Sequence, residues 1–404
     1  MIVRYRAAWI LPIDRPPIVN GWVAVEDGRI VDVGGQAIRR DANDVDLGDV
    51  AIMPGLVNAH THLELSYLRG QVPPADGFVT WIRGVMSARR QRPDPRSREI
   101  VDAIDAGIRD AAAAGTAVVG DISNTLAVFG PLRASSLAAV VFYELIRFNA
   151  PDAALVATQA AADLRAAEPS GRVRASLAAH APYSVAPSLL RAIRPALDAA
   201  MPDAPCSVHL SESTDEVEFV RTGRGAWRDL LEEIGSWDPS WTAPGVSPVR
   251  YLDDLGFLDA RTVVVHGVQM TRDDLAIVAA RGATLVTCPR SNRHTGAGDP
   301  PIEAFYASGV KVAVGTDSLA SAPDLNVFGE LAAMRALAPS VSAATLLDSA
   351  TRQGARALGF GDEYGTIAPG RRARLIAVDL PSRVDDVEEY LVGGVTPDRV
   401  RWIE

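Results

Sequence analysis

The chain reads as an α/β protein built on a (β/α)8 TIM barrel, with a small β-sandwich domain formed from both chain ends. Three observations predict this. Eight short apolar, β-branched runs alternate with alanine-, leucine- and arginine-rich segments of helical spacing. The polar residues of greatest chemical interest fall at the C-terminal ends of those runs, where barrels carry function. Both chain ends carry shorter strand and turn signals that the barrel does not need.

Residues 1–52 supply the first part of the small domain. Trp22-Val23-Ala24-Val25-Glu26 and Arg29-Ile30-Val31-Asp32-Val33 alternate on either side of Asp27-Gly28, a hairpin signal. Residues 53–361 hold the barrel. Its strands are expected over 55–62, 116–122, 138–146, 173–179, 206–210, 262–268, 284–287 and 310–316. Helical segments lie between them, among them 100–114, 153–167, 189–200 and 273–281. Residues 362–404 return to β character, with 365–369, 375–378 and 390–392 expected as strands. The segment 236–248, rich in Trp, Pro, Gly and Ser, reads as a long loop near the site. A length of 404 residues suits one large and one small domain.

Composition narrows the function classes. A net charge of −10 argues against nucleic acid or an anionic membrane as the main partner. Cys206 and Cys288 lie far apart inside apolar runs, as buried thiols do in a reducing compartment. No apolar stretch is long enough to span a bilayer, and the N-terminus lacks a signal-peptide core. A cytoplasmic protein with a small-molecule partner is expected.

Four scattered stretches share one chemistry: His60-Thr61-His62, His209 with Glu212, His266, and Asp317 in Val314-Gly315-Thr316-Asp317-Ser318. Strand side chains alternate with period two, so His60 and His62 point to the same face. Nitrogen and oxygen donors delivered by the ends of different strands can converge on a catalytic metal while one position stays open to water. Each has a plainer alternative. His209 could be a hydrogen-bonded core histidine, Glu212 a carboxylate favoured at a helix N-terminus, and Asp317 part of a helix cap. Asp215, Glu216 and Glu218 read as the solvated face of the next helix.

The order of these motifs, with Met53-Pro54-Gly55-Leu56-Val57-Asn58-Ala59 before the first, resembles the amidohydrolase superfamily, in its deaminase and chlorohydrolase branch. The resemblance spans nearly the whole chain. It implies one divalent metal held by His60, His62, His209 and Asp317, Zn²⁺ foremost, with Fe²⁺ and Mn²⁺ open because ligand type alone rarely selects. It implies Glu212 as proton shuttle, His266 as a water-orienting group, and Asp317 as both ligand and base. A carbamylated-lysine bridge between two metals is excluded, since the single lysine, Lys311, begins the eighth strand. Glu144, on the third strand, remains a candidate bridge.

His180-Ala181-Pro182-Tyr183-Ser184 is similar to a segment whose histidine contacts the purine ring in adenosine-type deaminases. Together with His60–Ser66 and Cys288-Pro289-Arg290-Ser291-Asn292, it most resembles the aminodeoxyfutalosine deaminases of menaquinone biosynthesis. That branch implies a 6-aminopurine nucleoside carrying a carboxylate, and hence an arginine clamp. Arg147, Arg290 and Arg83 beside Trp81 are the candidates, and family habit implies a homodimer. The alternatives are adenosine, methylthioadenosine or guanine as substrate, a triazine-type chloro- or aminohydrolase, and, remotely, a catalytically silent scaffold barrel.

Overall fold

The computed structural model describes residues 1–35 and 43–403. Among the described residues, five strands open the chain: β1 (Val3–Ile10), β2 (Ile18–Glu26), β3 (Arg29–Gly35), β4 (Asp44–Asp46) and β5 (Val50–Pro54). Eight form the barrel: β6 (Leu56–Thr61), β7 (Thr116–Ser123), β8 (Ala138–Leu145), β9 (Val173–Ala179), β10 (Cys206–Leu210), β11 (Thr262–His266), β12 (Thr284–Thr287) and β13 (Lys311–Val314). Two close it, β14 (Leu375–Asp379) and β15 (Val400–Trp402).

Each barrel strand pairs in parallel with its sequence neighbour, in the order β6 to β13. The strands are buried on both faces, which is why they read as continuous Val/Ala/Ile runs rather than as alternation. Helices Arg98–Ala113, Ala153–Ala166, Pro187–Ala200 and Arg272–Arg281 lie between them, close to the segments expected from periodicity.

The seam between the first and last barrel strands decides where the site residues stand. Asn58, fully buried, donates from Nδ2 to Thr316 Oγ1 (2.7 Å) and accepts at Oδ1 from Thr316 N (3.0 Å). Asp317 N then donates to His60 O at 3.0 Å. A side-chain clasp therefore fixes His60 against Asp317. Close approach is needed as well: a Cβ at Gly315 would lie 2.7 Å from His60 Cβ, and one at Gly120 would lie 2.4 Å from Ala59 O. Asn58→Ala leaves the buried Thr316 amide without its acceptor, and should lower stability to urea by roughly 1–3 kcal/mol. A loss below about 0.5 kcal/mol, the scatter of neutral substitutions, would mean that Asn58 does not hold the seam.

The chain ends form one mixed sheet of seven strands among the described residues, in the order β15-β14-β5-β1-β2-β3 with β4 beside β1. The expected hairpin is present, with Asp27 and Gly28 in the left-handed region between β2 and β3 (φ 50° and 72°). Two C-terminal expectations are corrected. Residues 390–392 belong to a helix, Val387–Val392, because the Asp386 carboxylate accepts from the amides of Glu388 and Glu389 and caps it. Residues 365–369 form no strand; Ile367 instead buries its side chain in the small-sheet core as Ile367 N donates to Pro12 O. No helix among the described residues is long and apolar enough to cross a membrane.

Candidate active site

The C-terminal ends of the barrel strands bring together all of the chain's six histidines except His294. His60 Nε2 and His62 Nε2 are 3.2 Å apart. Asp317 Oδ1 lies 3.7 Å from the first and 3.4 Å from the second. Ligand atoms of His60, His62 and His209 all fall within 4.8 Å of one another. The backbone is held in sparsely populated conformations to achieve this: Ser211, His266 and Asp317 have φ of 52°, 78° and 59°.

Neighbouring groups fix each of these side chains. His209 Nδ1 is 2.8 Å from His180 O and donates to it, which leaves Nε2 with its lone pair toward the cluster. Ser291 Oγ donates to Asp317 Oδ2 at 2.5 Å, leaving Oδ1 facing the imidazoles. Asn292 Nδ2 is 2.9 Å from His266 Nδ1. The Cys288–Asn292 segment, matched in the sequence without a role, thus supports two site residues from behind.

The electrostatics suit a cation. Burial, and then the neighbouring His62, His209 and His266, hold His60 well below its ordinary value near 6.5, so the ring is neutral. Burial likewise takes His266 down to about 3 and His180 to about 4. Burial pushes Asp317 up, but His62, His266 and the Ser291 hydroxyl outweigh it and keep the carboxylate ionised. Three imidazoles and one carboxylate, their free donor atoms converging in a buried pocket, are a fitting site for a divalent ion such as zinc.

Glu212 borders this cluster, its Oε1 3.5 Å from His266 Nε2. Burial, and then Asp317 and Glu216, hold its carboxyl well above the usual range and therefore neutral. The reading of Glu216 as solvated is corrected. It is fully buried, and its two oxygens accept from Ser211 N and Glu212 N at 2.8 Å each. Two backbone amides in the turn after β10 need acceptors there, and solvent does not reach them. Glu216→Ala should therefore lower kcat at least tenfold by releasing that turn, with a falling melting temperature. Unchanged kcat would show that Glu212 is placed without it.

A cavity of about 620 Å³ opens over the cluster. His180, Trp81 and Arg147 line it, and so does Ser236 from the long 236–248 loop. Tyr183 and Trp227 stack with ring centroids 3.7 Å apart on one wall, and Phe78 packs 6.2 Å from Trp81. Arg290 does not line it, which corrects the substrate-clamp expectation. Its Nε donates to buried Glu330 (2.7 Å) and its Nη1 pairs with Asp324 (2.9 Å). Arg83 is likewise absent from the lining and pairs with Glu233. Sequence reasoning missed Arg89 and Asn124, which do line the cavity. Glu144 stands between His180 and His209, its Oε2 accepting from Asn124 Nδ2 at 2.8 Å. Lys311 is remote from all this and donates to Gly282 O.

The chain is similar to known proteins along most of its length. The amidohydrolase family model matches residues 51–400. The chain is 36% identical to the aminodeoxyfutalosine deaminase of Deinococcus radiodurans over 323 residues, 76% of this chain and 73% of that protein. It is 30% identical to the 5-methylthioadenosine/S-adenosylhomocysteine deaminase of Moorella thermoacetica over 400 residues, 95% of this chain and 88% of that one. A zinc-bound adenosine deaminase structure from Xanthomonas campestris superposes with a TM-score of 0.82 at 27% identity, covering 98% of this chain and 90% of that one. With a match that runs from β5 through the whole barrel to the start of β15 and takes in every side chain of the cluster, the chain belongs to the amidohydrolase family.

Proposed function

We propose that the chain is a mononuclear, metal-dependent hydrolytic deaminase that releases ammonia from a 6-aminopurine nucleoside, aminodeoxyfutalosine, and so serves menaquinone biosynthesis. The observation that carries this reading is Glu212. It is a neutral, buried carboxyl on the wall of a ligand-sized cavity, beside a cluster of donor atoms fit for a metal. Hydrolysis of an amidine C–N bond needs such a group, because a ring nitrogen must gain a proton as water adds and the amine must gain one as it leaves.

His60, His62, His209 and Asp317 would hold the ion, with zinc favoured by the ligand types and Fe²⁺ and Mn²⁺ compatible with them. An ion bound there supplies Lewis-acid activation of water, bringing its pKa toward ~7. Asp317 takes a proton from the attacking water through Oδ1, the oxygen that Ser291 leaves free. His266, held by Asn292, orients that water toward the amine-bearing carbon. Glu212 gives its proton to the ring nitrogen, regains one from the hydroxyl newly added to that carbon as the carbonyl forms, and passes it to the amino group as the C–N bond breaks. The proton held by Asp317 then restores neutral Glu212. His180, its Nδ1 engaged by Ser184 Oγ at 2.5 Å, contacts the purine through its other nitrogen.

The Deinococcus and Moorella relatives support the substrate class. One is by name a deaminase of aminodeoxyfutalosine, the other of 5-methylthioadenosine and S-adenosylhomocysteine. The Moorella protein, aligned over more of this chain, favours a second reading in which a thioether nucleoside is the substrate. Product analysis in ¹⁸O-water tests the chemistry. The expected product carries one ¹⁸O in place of the amino group, with one equivalent of ammonia. Release of chloride or an alkylamine from a triazine, without ammonia from any nucleoside, would overturn the reading.

A further inference from the structure

The arginines near the barrel mouth are not equivalent. Arg83 is paired with Glu233, Arg147 with Asp152 at 3.3 Å, and Arg290 with Asp324 and Glu330. Arg89 differs from all three. Among the described residues no carboxylate pairs with it, although it lines the cavity and is only partly exposed. Its Nη1 donates to Asn124 Oδ1 at 3.0 Å. Asn124 is itself oriented, because its Nδ2 is committed to Glu144 Oε2. The guanidinium is therefore held in place by a neutral acceptor, with most of its five N–H donors free for a ligand.

The wall around it is aromatic and apolar. Trp81 and Trp227 line the cavity, both largely buried. Ile82, Val85 and Met86 complete that face beside Phe78. A partly desolvated cation without a counter-ion, set in an aromatic wall, is matched by an aromatic ligand that carries an anion. We infer that Arg89 is the specificity-determining residue that receives a carboxylate on an aryl group of the substrate. This rests on the deaminase reading and adds to it which arginine reads the acid.

The rival role for Arg89 is to balance Glu144 through Asn124, without touching substrate. A matched pair of 6-aminopurine nucleosides separates the two, one bearing a benzoate on its 5′ side and the other its methyl ester. Wild-type, Arg89→Met and Arg147→Met proteins are compared by ammonia release. Wild type should prefer the acid. Arg89→Met should raise KM for the acid roughly 10- to 100-fold, as removal of a charge-assisted hydrogen bond does, with kcat and the ester's KM nearly unchanged. Arg147→Met should alter the acid-to-ester ratio less than about threefold, as expected for a paired, solvent-exposed charge. Equal losses on acid and ester in Arg89→Met would overturn the inference and favour the Glu144 role, as would a lost preference in Arg147→Met alone. Equal use of both nucleosides by wild type would leave deamination standing and remove the acid receptor. Ammonia from neither would fell the deaminase reading and this inference with it.

Discussion

Glu212→Gln protein should retain its metal and its melting temperature while kcat falls roughly 10²–10⁴-fold. The separation follows from the local electrostatics. Burial first, then Asp317 and Glu216, hold this carboxyl neutral well above its ordinary range. A neutral carboxylic acid and a carboxamide have nearly the same shape, and both place a donor and an acceptor in the cavity. Gln therefore replaces the resting form at little cost to the fold, yet it has no proton to give to a ring nitrogen. KM for the nucleoside should change by less than about threefold, because the proton transfer that Gln cannot make belongs to the transition state and not to the bound substrate. Ammonia release within tenfold of wild type would remove Glu212 from the proposed proton path.

Chelation should abolish ammonia release and lower the melting temperature, and one equivalent of Zn²⁺ per chain should restore both. The stability change is linkage: an ion that binds only the folded chain contributes about 4 kcal/mol at a thousandfold excess over its Kd. The stoichiometry of one follows from the hydrogen bonds. Glu144, His180 and His209 form a second group with clustered donor atoms, but it shares His209 with the first. His209 Nδ1 is already committed to His180 O, so that ring has one nitrogen to offer. A requirement for two equivalents would show that Glu144 bridges a metal pair, the alternative left open by its place on the third barrel strand. His60→Ala should mimic chelation and resist rescue by added Zn²⁺.

The barrel was legible because buried parallel strands leave continuous apolar runs that do not depend on distant residues. The strand ends at Thr61, Leu210 and His266 coincide with the histidine motifs, so the place of the candidate site was legible too. What stayed hidden depended on tertiary partners. Glu216 sits in an acidic run that resembles any solvated helix start. Its signal was the Ser213-Thr214-Asp215-Glu216 spacing of a capping box, and only the fold shows its oxygens reaching back to Ser211 and Glu212. Arg290 is close to the site in sequence, but Glu330, 40 residues on, takes its charge. Arg89 and Asn124 come from a helix and a loop 35 residues apart, and nothing local marks either. The terminal helix 387–392 reads as a strand because its apolar run is short, where period and length cannot separate the two states.

The central claim is best tested by ammonia release from metal-replete protein across aminodeoxyfutalosine, adenosine, methylthioadenosine, S-adenosylhomocysteine and guanine. The account predicts release from aminodeoxyfutalosine with a kcat/KM at least tenfold above every other compound. Absence of ammonia from all five, with zinc shown to be bound, would contradict it.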